Sequence, residues 1–281
     1  MKGIKKVAVI NDLSGIGRCS LTAAIPILSV LGVQPCPIPT AVLSNQTNFD
    51  SFTFKDLTDE LKPYTEAISK LNIKFDCVYS GFLGSLKQID MVYDFIKKNK
   101  EALIVVDPVM GDNGLLYETF NYEICERIKE LVKISDIITP NLTEACILSG
   151  VKYTKNKTKE EVLEIAKALG KFGPEKIIIT GVIIDEDFCN IYYDNISDKI
   201  FISKINHIEE SYSGTGDLFT SIIIGLLLNN HSLEYSINKS GEFLYNVIKY
   251  TFEQKTNPEE GIIFELFLKE LILINEKEKE N

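Results

Sequence analysis

The chain has 281 residues and a formal net charge of −10, with 45% hydrophobic and 25% charged residues. These proportions are ordinary for a globular protein with a sizeable core, and the length suits one large α/β domain rather than two small ones. The acidic balance argues against broad nucleic-acid binding but leaves room for an anionic cofactor, because backbone N–H groups and a metal act locally against global charge.

The segment KKVAVI is a short β-branched run that predicts a strand, ending in the polar NDLSGIG. CSLTAAIPILSVLG follows as a helix closed by Gly32, so the chain opens with strand, glycine-containing loop and helix, the start of a βαβ unit. QPCPIPTAVLS reads as a second strand whose prolines favour a sheet edge. DLTDELKPYTEAISKL is helical, FDCVYSG a strand, and LKQIDMVYDFIKKNK a helix whose lysine-rich last turn suits a C-terminus. ALIVVDPVMGDNG is an apolar strand that releases Asp107 and Asp112 into a glycine-containing loop.

YEICERIKELVKI predicts a helix, DIITPN a strand and its exit, and LTEACILSG a helix capped by Gly150. KEEVLEIAKALGKFG and KIIIT repeat the helix-then-strand pattern, and FCNIYYDN with DKIFISK reads as a hairpin. The remainder is mainly helical: GDLFTSIIIGLLLNN, LEYSINKSGEFLYNVIKYTFEQ and FELFLKELILINE, with a solvated, frayed tail from about 276 to 281. Continuous apolar runs such as LIVVD and KIIIT imply strands buried on both faces, hence a mainly parallel sheet covered by helices.

The six cysteines form no CxxC pair and have no neighbouring histidine pair, which excludes a zinc site and a secreted disulfide framework. The basic N-terminus has too short an apolar stretch for a signal peptide, and no stretch reaches the roughly 18 apolar residues of a membrane span. A soluble cytoplasmic protein with buried free thiols, binding neither nucleic acid nor membrane, is the expectation.

In open α/β sheets, ligands bind beyond the carboxyl ends of the strands. Here those ends carry Asn11, Asp12 and Ser14; Ser44, Asn45 and Thr47; Ser80 and Gly81; Asp107 and Asp112; Thr139, Asn141 and Glu144; Thr180 and Gly181. Equivalent positions on successive strands should converge on one rim. Asp107 and Asp112 could hold Mg²⁺ directly or through water, or bind a monovalent cation. Asp112 and Asn113 could equally form a turn beside Gly114. Asn141 and Glu144 have the spacing of a capping box, and Glu144 could also organise metal-bound water beside a triphosphate. His207 and His231 are expected at the surface or an interface. GxGxxG, GxxxxGK[ST] and GxSxG are all absent, so the main signatures of dinucleotide-binding dehydrogenases, P-loop enzymes and α/β-hydrolases are missing.

The segment SGTGDLF resembles the GTGD anion-hole motif of the ribokinase superfamily. VAVINDLSGIGRCSL, VLSNQT, SGFLGS, DPVMGD and DIITPNLTEACIL together are similar to its pyridoxal/pyridoxamine kinase branch, in order from about Val7 to Leu228. The resemblance implies a three-layer ribokinase-like fold, with a mainly parallel central sheet flanked by helices, over one domain spanning residues 1–281. It implies ATP-dependent phosphorylation of the 5′-hydroxymethyl group of a vitamin B6 vitamer, with Mg²⁺, a possible K⁺ requirement and a homodimer.

Carried over by motif, Asp217 is the catalytic base, and Gly214, Thr215 and Gly216 present backbone N–H groups to the transferring phosphoryl group. Asp107, Thr139, Asn141, Glu144 and Thr180 match the nucleotide shell, and Asp107, Asp112 and Glu144 the metal shell. Asp12, Ser14, Thr47, Asn48 and Phe82 match the substrate side. Asp12 stands where the branch usually has serine, and Phe82 where it has tyrosine, so both departures touch vitamer choice. Hydroxymethylpyrimidine kinases of thiamine synthesis share the superfamily and are the nearest alternative; a non-catalytic nucleotide-binding protein is a remote one. VLSNQTNFDSFTF and GDNGLLYETF are candidates for a cover that excludes water from the reactants.

Overall fold

A computed structural model describes residues 3–117 and 120–276; the tail beyond 276 lies outside the described residues. Among these residues the first half runs β1 (Lys6–Ile16), α1 (Ser20–Val30), β2 (Gln34–Asn45), β3 (Phe54–Asp56), α2 (Thr58–Lys70), β4 (Cys77–Ser80), α3 (Leu86–Lys98), β5 (Leu103–Val106), β6 (Gly111–Asp112), β7 (Leu115–Leu116) and α4 (Tyr122–Val132). The second half runs β8 (Ile137–Ile138), α5 (Leu142–Ser149), α6 (Lys159–Gly170), β9 (Lys176–Ile184), β10 (Asp187–Asp194), β11 (Lys199–Ile205), α7 (Thr215–Leu228), α8 (Leu233–Gln254) and α9 (Leu268–Glu276).

Nine strands form one sheet in the order β11-β10-β9-β8-β5-β4-β1-β2-β3. Pairing is parallel from β2 through β1, β4, β5 and β8 to β9. Antiparallel strands close both edges.

Alternation along the parallel strands feeds two cores. Ala8, Ile10, Ile104 and Val106 join one buried cluster that also holds Ile89 of α3, Ile128 of α4 and Ile165 of α6. Val7, Val9 and Val105 join the other, with Leu21 of α1, Ile222 of α7, Phe243 of α8 and Leu271 of α9. Helices therefore cover both faces, which is why these strands are apolar throughout rather than alternating. The expected three-layer architecture is the one observed.

Three local differences from the sequence reading have physical causes. NDLSGI does not leave the sheet: β1 continues to Ile16 beside β2, with a register shift between Asn11 and Leu13. Such an extra residue re-aims side chains at a strand end. The proline-rich strand β2 is not the outermost strand, because β3 pairs with it over Ala41–Leu43. Pro35, Pro37 and Pro39 precede that stretch, where only β1 flanks β2, so the prolines still occupy a free edge. His231 is buried rather than superficial, at 5% exposure, with Nε2 3.1 Å from the Asn275 carbonyl oxygen.

The chain passes from β1 to β2 on one side and later places β4 on the other, so the strand order reverses beside β1. The crevice at that reversal is where open α/β sheets bind ligands. No helix among the described residues is long and apolar enough to cross a membrane.

Candidate active site

A cavity of about 810 Å³ opens beyond the carboxyl ends of the strands. It brings together Asp107 after β5, Thr139, Asn141 and Glu144 around the β8–α5 junction, Thr180 and Gly181 in β9, and the α7 start from Gly214 to Asp217. Asp112 and Asn48 also line it. The predicted convergence on one rim thus holds for the polar residues after β5, at the β8–α5 junction and in β9, whereas those predicted at the ends of β1, β2 and β4 do not line the cavity.

The α7 start is built by a steric constraint. Gly214 has φ +81 and is the N-cap, so no side chain caps the helix. A Cβ there would lie 2.0 Å from the Arg18 carbonyl oxygen, a clash that only glycine avoids. At Gly216 an added Cβ would meet only Asp107 Oδ2, at 3.8 Å, so the protein itself leaves that approach open. An uncapped helix start carries unsatisfied N–H groups and the positive end of the helix dipole, a fit for phosphate.

Asp217 is not the cap. Its Oδ2 accepts from the Ser20 N–H at 2.7 Å and its Oδ1 from Asn11 Nδ2 at 2.9 Å, with the Tyr79 hydroxyl at 3.4 Å. Burial pushes its carboxyl up to about 6, and the charge of Asp12 adds to the rise while the Ser20 N–H opposes it. An acid of that kind accepts a proton near neutral pH.

Asp107 is 7% exposed, and burial raises its carboxyl well above the usual range, with the charges of Glu144 and Asp217 adding to the effect. Glu144, 3% exposed, is pushed up to about 8, mainly by burial. The capping box at α5 is present: Asn141 Oδ1 accepts from the Glu144 N–H and Glu144 Oε2 from the Asn141 N–H, both at 2.9 Å. The same two side chains also tie down the DPVMGD loop. Glu144 Oε1 accepts from the Met110 N–H at 3.1 Å, and Asn141 Nδ2 donates to the Gly111 carbonyl at 2.8 Å. Capping and site-building coincide.

Asp112 is exposed and accepts from the Asn113 N–H at 2.8 Å, while Asn113 and Gly114 take φ 51 and 81 between β6 and β7. This Asn-Gly hairpin is the turn reading of GDNG, although Asp112 still reaches the cavity wall. No cluster of three or more histidine, cysteine or acidic side chains able to hold a metal exists among the described residues. Among the described residues Lys155 is the one lysine or arginine lining the cavity, against acidic residues that include Asp107, Asp112, Glu144 and Asp217. The donor set therefore suits Mg²⁺ held by one or two carboxylates together with phosphate oxygens, not a cage built wholly from protein.

Of the substrate-side residues, Asn48 reaches the cavity and donates to Ser213 Oγ at 3.1 Å. Thr47 is exposed on the same loop and does not line the cavity. Asp12, Ser14 and Phe82 do not line it; Asp12 and Phe82 meet at Asn11, and Ser14 bonds Asp12. Asn11 Oδ1 accepts from the Asp12 N–H at 3.0 Å and the Phe82 N–H at 2.9 Å. Phe82 packs edge-on to Phe120 at 5.9 Å.

Asn11 and Ser20 as holders of Asp217, and Tyr79 beside it, escaped the sequence reading. Only Asn11 carried a signal, as a polar residue ending an apolar strand. His207 is exposed, as expected, and stacks on Phe188 at 4.2 Å in the cavity wall.

The phosphomethylpyrimidine kinase family matches residues 20–261 of the chain. A Schizosaccharomyces pombe protein described as a candidate pyridoxal kinase is 30% identical over 79% of this chain and 74% of its own length. A Bacteroides thetaiotaomicron protein, described as a candidate phosphomethylpyrimidine kinase and crystallised with pyridoxal, is 42% identical. It superposes with a TM-score of 0.92 over 96% of both chains. Pyridoxal kinase from Lactobacillus plantarum is 26% identical with a TM-score of 0.90, over 98% of this chain and 99% of its own.

Proposed function

Because the chain belongs to the phosphomethylpyrimidine kinase family, and so is a phosphotransferase with an alcohol acceptor, we propose that it phosphorylates the 5′-hydroxymethyl group of a vitamin B6 vitamer with ATP. The observation that carries the choice of a vitamin B6 vitamer over the pyrimidine is the 42% identical Bacteroides structure, crystallised with pyridoxal. The chain acts as one domain over residues 1–281, and its six free cysteines suit a reducing cytoplasm.

Phosphoryl transfer depends on positioning and charge neutralisation more than on covalent chemistry. Asp217 takes the hydroxyl proton as the oxygen attacks the γ-phosphorus and the bond to the β–γ bridging oxygen breaks, releasing ADP. The N–H groups of Thr215 and Gly216 receive the charge developing on the phosphoryl oxygens, and Gly214 shapes the turn that exposes them. Thr139, Asn141 and Thr180 form the nucleotide side of the cavity. Asp107 and Glu144 would hold Mg²⁺, which supplies neutralisation of phosphate charge. Without such a cation, the carboxylates lining the cavity oppose a polyphosphate. Thr47, Asn48 and Phe82 belong to the acceptor side. The loop after β2 and the β6–β7 hairpin, whose Leu115 is 73% exposed, form the cover; Glu118 and Thr119 of the second segment lie outside the described residues.

The test is ATP consumption with pyridoxal, pyridoxine, pyridoxamine and hydroxymethylpyrimidine as acceptors. The expected result is a higher kcat/KM for at least one vitamer than for the pyrimidine. A clear preference for the pyrimidine would overturn the vitamer assignment while leaving the phosphotransferase intact.

A further inference from the structure

We propose that Asp12 and Ser20 form a clamp that positions the carboxylate of Asp217, Asp12 acting through Ser20 without touching the substrate. The proposal rests on Asp217 being the base of the reaction described above. Ser20 opens α1 with φ 50, a left-handed conformation that side-chain-bearing residues rarely adopt. Such a conformation persists only where the surroundings over-determine it.

Two contacts do so here. The Ser20 N–H donates to Asp217 Oδ2 at 2.7 Å, and Ser20 Oγ donates to Asp12 Oδ1 at 2.5 Å. The other Asp12 oxygen, Oδ2, accepts from Ser14 Oγ at 2.9 Å. The Asp12 N–H donates to Asn11 Oδ1 at 3.0 Å, and Asn11 Nδ2 reaches Asp217 Oδ1 at 2.9 Å. Each oxygen of Asp217 is thus held by one arm, and both arms return to Asp12. Asp12 is 7% exposed and both of its oxygens are engaged inside the chain. That arrangement is a support behind the base rather than a contact for an incoming ring.

A base held this way presents its free lone pairs in one direction, and small misplacements of a reacting group can cost about 10²-fold in rate. The test compares Ser20→Ala, Ser20→Gly, Asp12→Ala and Asp12→Asn in the full chain, after thermal melts have established that each variant folds. Ser20→Ala loses the hydroxyl that secures the left-handed backbone, whereas Ser20→Gly adopts that backbone without strain.

The expected result is a kcat at least about tenfold higher for Ser20→Gly than for Ser20→Ala, with KM for both substrates within about threefold of wild type. Asp12→Asn, which keeps an acceptor, should retain more kcat than Asp12→Ala. Equal losses for the two Ser20 variants would overturn the proposal. So would a raised KM for the alcohol at unchanged kcat in Asp12→Ala, which would make Asp12 a substrate contact. If wild type phosphorylates none of the alcohols, the functional reading fails, and a crystal structure of Asp12→Ala decides the clamp separately. An opened Ser20–Asp217 contact supports it, and an unchanged contact overturns it.

Discussion

Asp217 sits in the first turn of α7, yet its oxygens accept from Ser20 and Asn11 rather than from its own helix. Burial and the Asp12 charge hold the carboxyl near 6, with Asp107, Tyr79, Cys19 and Tyr117 among its titratable neighbours. A base works in its ionised form, so kcat/KM should rise with pH through about 6 and fall below it. Asp217→Asn should lower kcat by about 10²–10⁴-fold and abolish that limb. A wild-type profile that stays flat from about pH 5 to 7 would refute the assignment. At this scale the acid itself was legible, because SGTGD places it beside glycines that serve no helix. Its holders were not: Asn11 and Ser20 lie 206 and 197 positions away, and no local pattern encodes a contact across that separation.

The start of α7 is an element that glycine alone permits. Gly214→Ala combines an unfavourable φ of +81 with a Cβ 2.0 Å from the Arg18 carbonyl oxygen. The expected cost is about 1–3 kcal/mol, together with a larger loss of phosphate-donor affinity because the helix start must move. Denaturant melts and nucleotide titration measure the two effects; a fully stable variant with unchanged affinity would contradict the packing described. Most other elements were readable from periodicity, and Gly32 and Gly150 mark their helix ends with φ of +75. The extension of β1 to Ile16 was not readable. NDLSGI is polar and turn-like locally, and only pairing with β2 keeps it extended. The β6–β7 hairpin shows the reverse, since Asn113-Gly114 specifies its own turn.

Across the whole molecule, the site is costly to the empty fold. Asp107, Glu144 and Asp217 have folded-state acidities weakened by burial, so each contributes stability at low pH that is lost on ionisation. For Glu144 the window runs from its ordinary value of 4.5 to about 8. The ligand-free protein should therefore melt several degrees lower at about pH 8.5 than at about pH 5.5, and Glu144→Gln, which can still cap α5, should flatten that slope. Identical slopes for wild type and variant would show that the buried carboxyl does not ionise in that range.

The sequence by itself determined the layered α/β architecture, the acid of α7 and the set of polar strand ends, since periodicity and turn chemistry are local properties of the chain. Tertiary structure alone decided that the polar residues after β5, at the β8–α5 junction and in β9 share one cavity with the α7 start, that Asn141 and Glu144 hold the DPVMGD loop as well as cap a helix, and that Asp12 stands behind Asp217. Those facts depend on strand order, which brings β1, β4 and the α7 start together. Hydrophobic alternation is the same for any order of the strands.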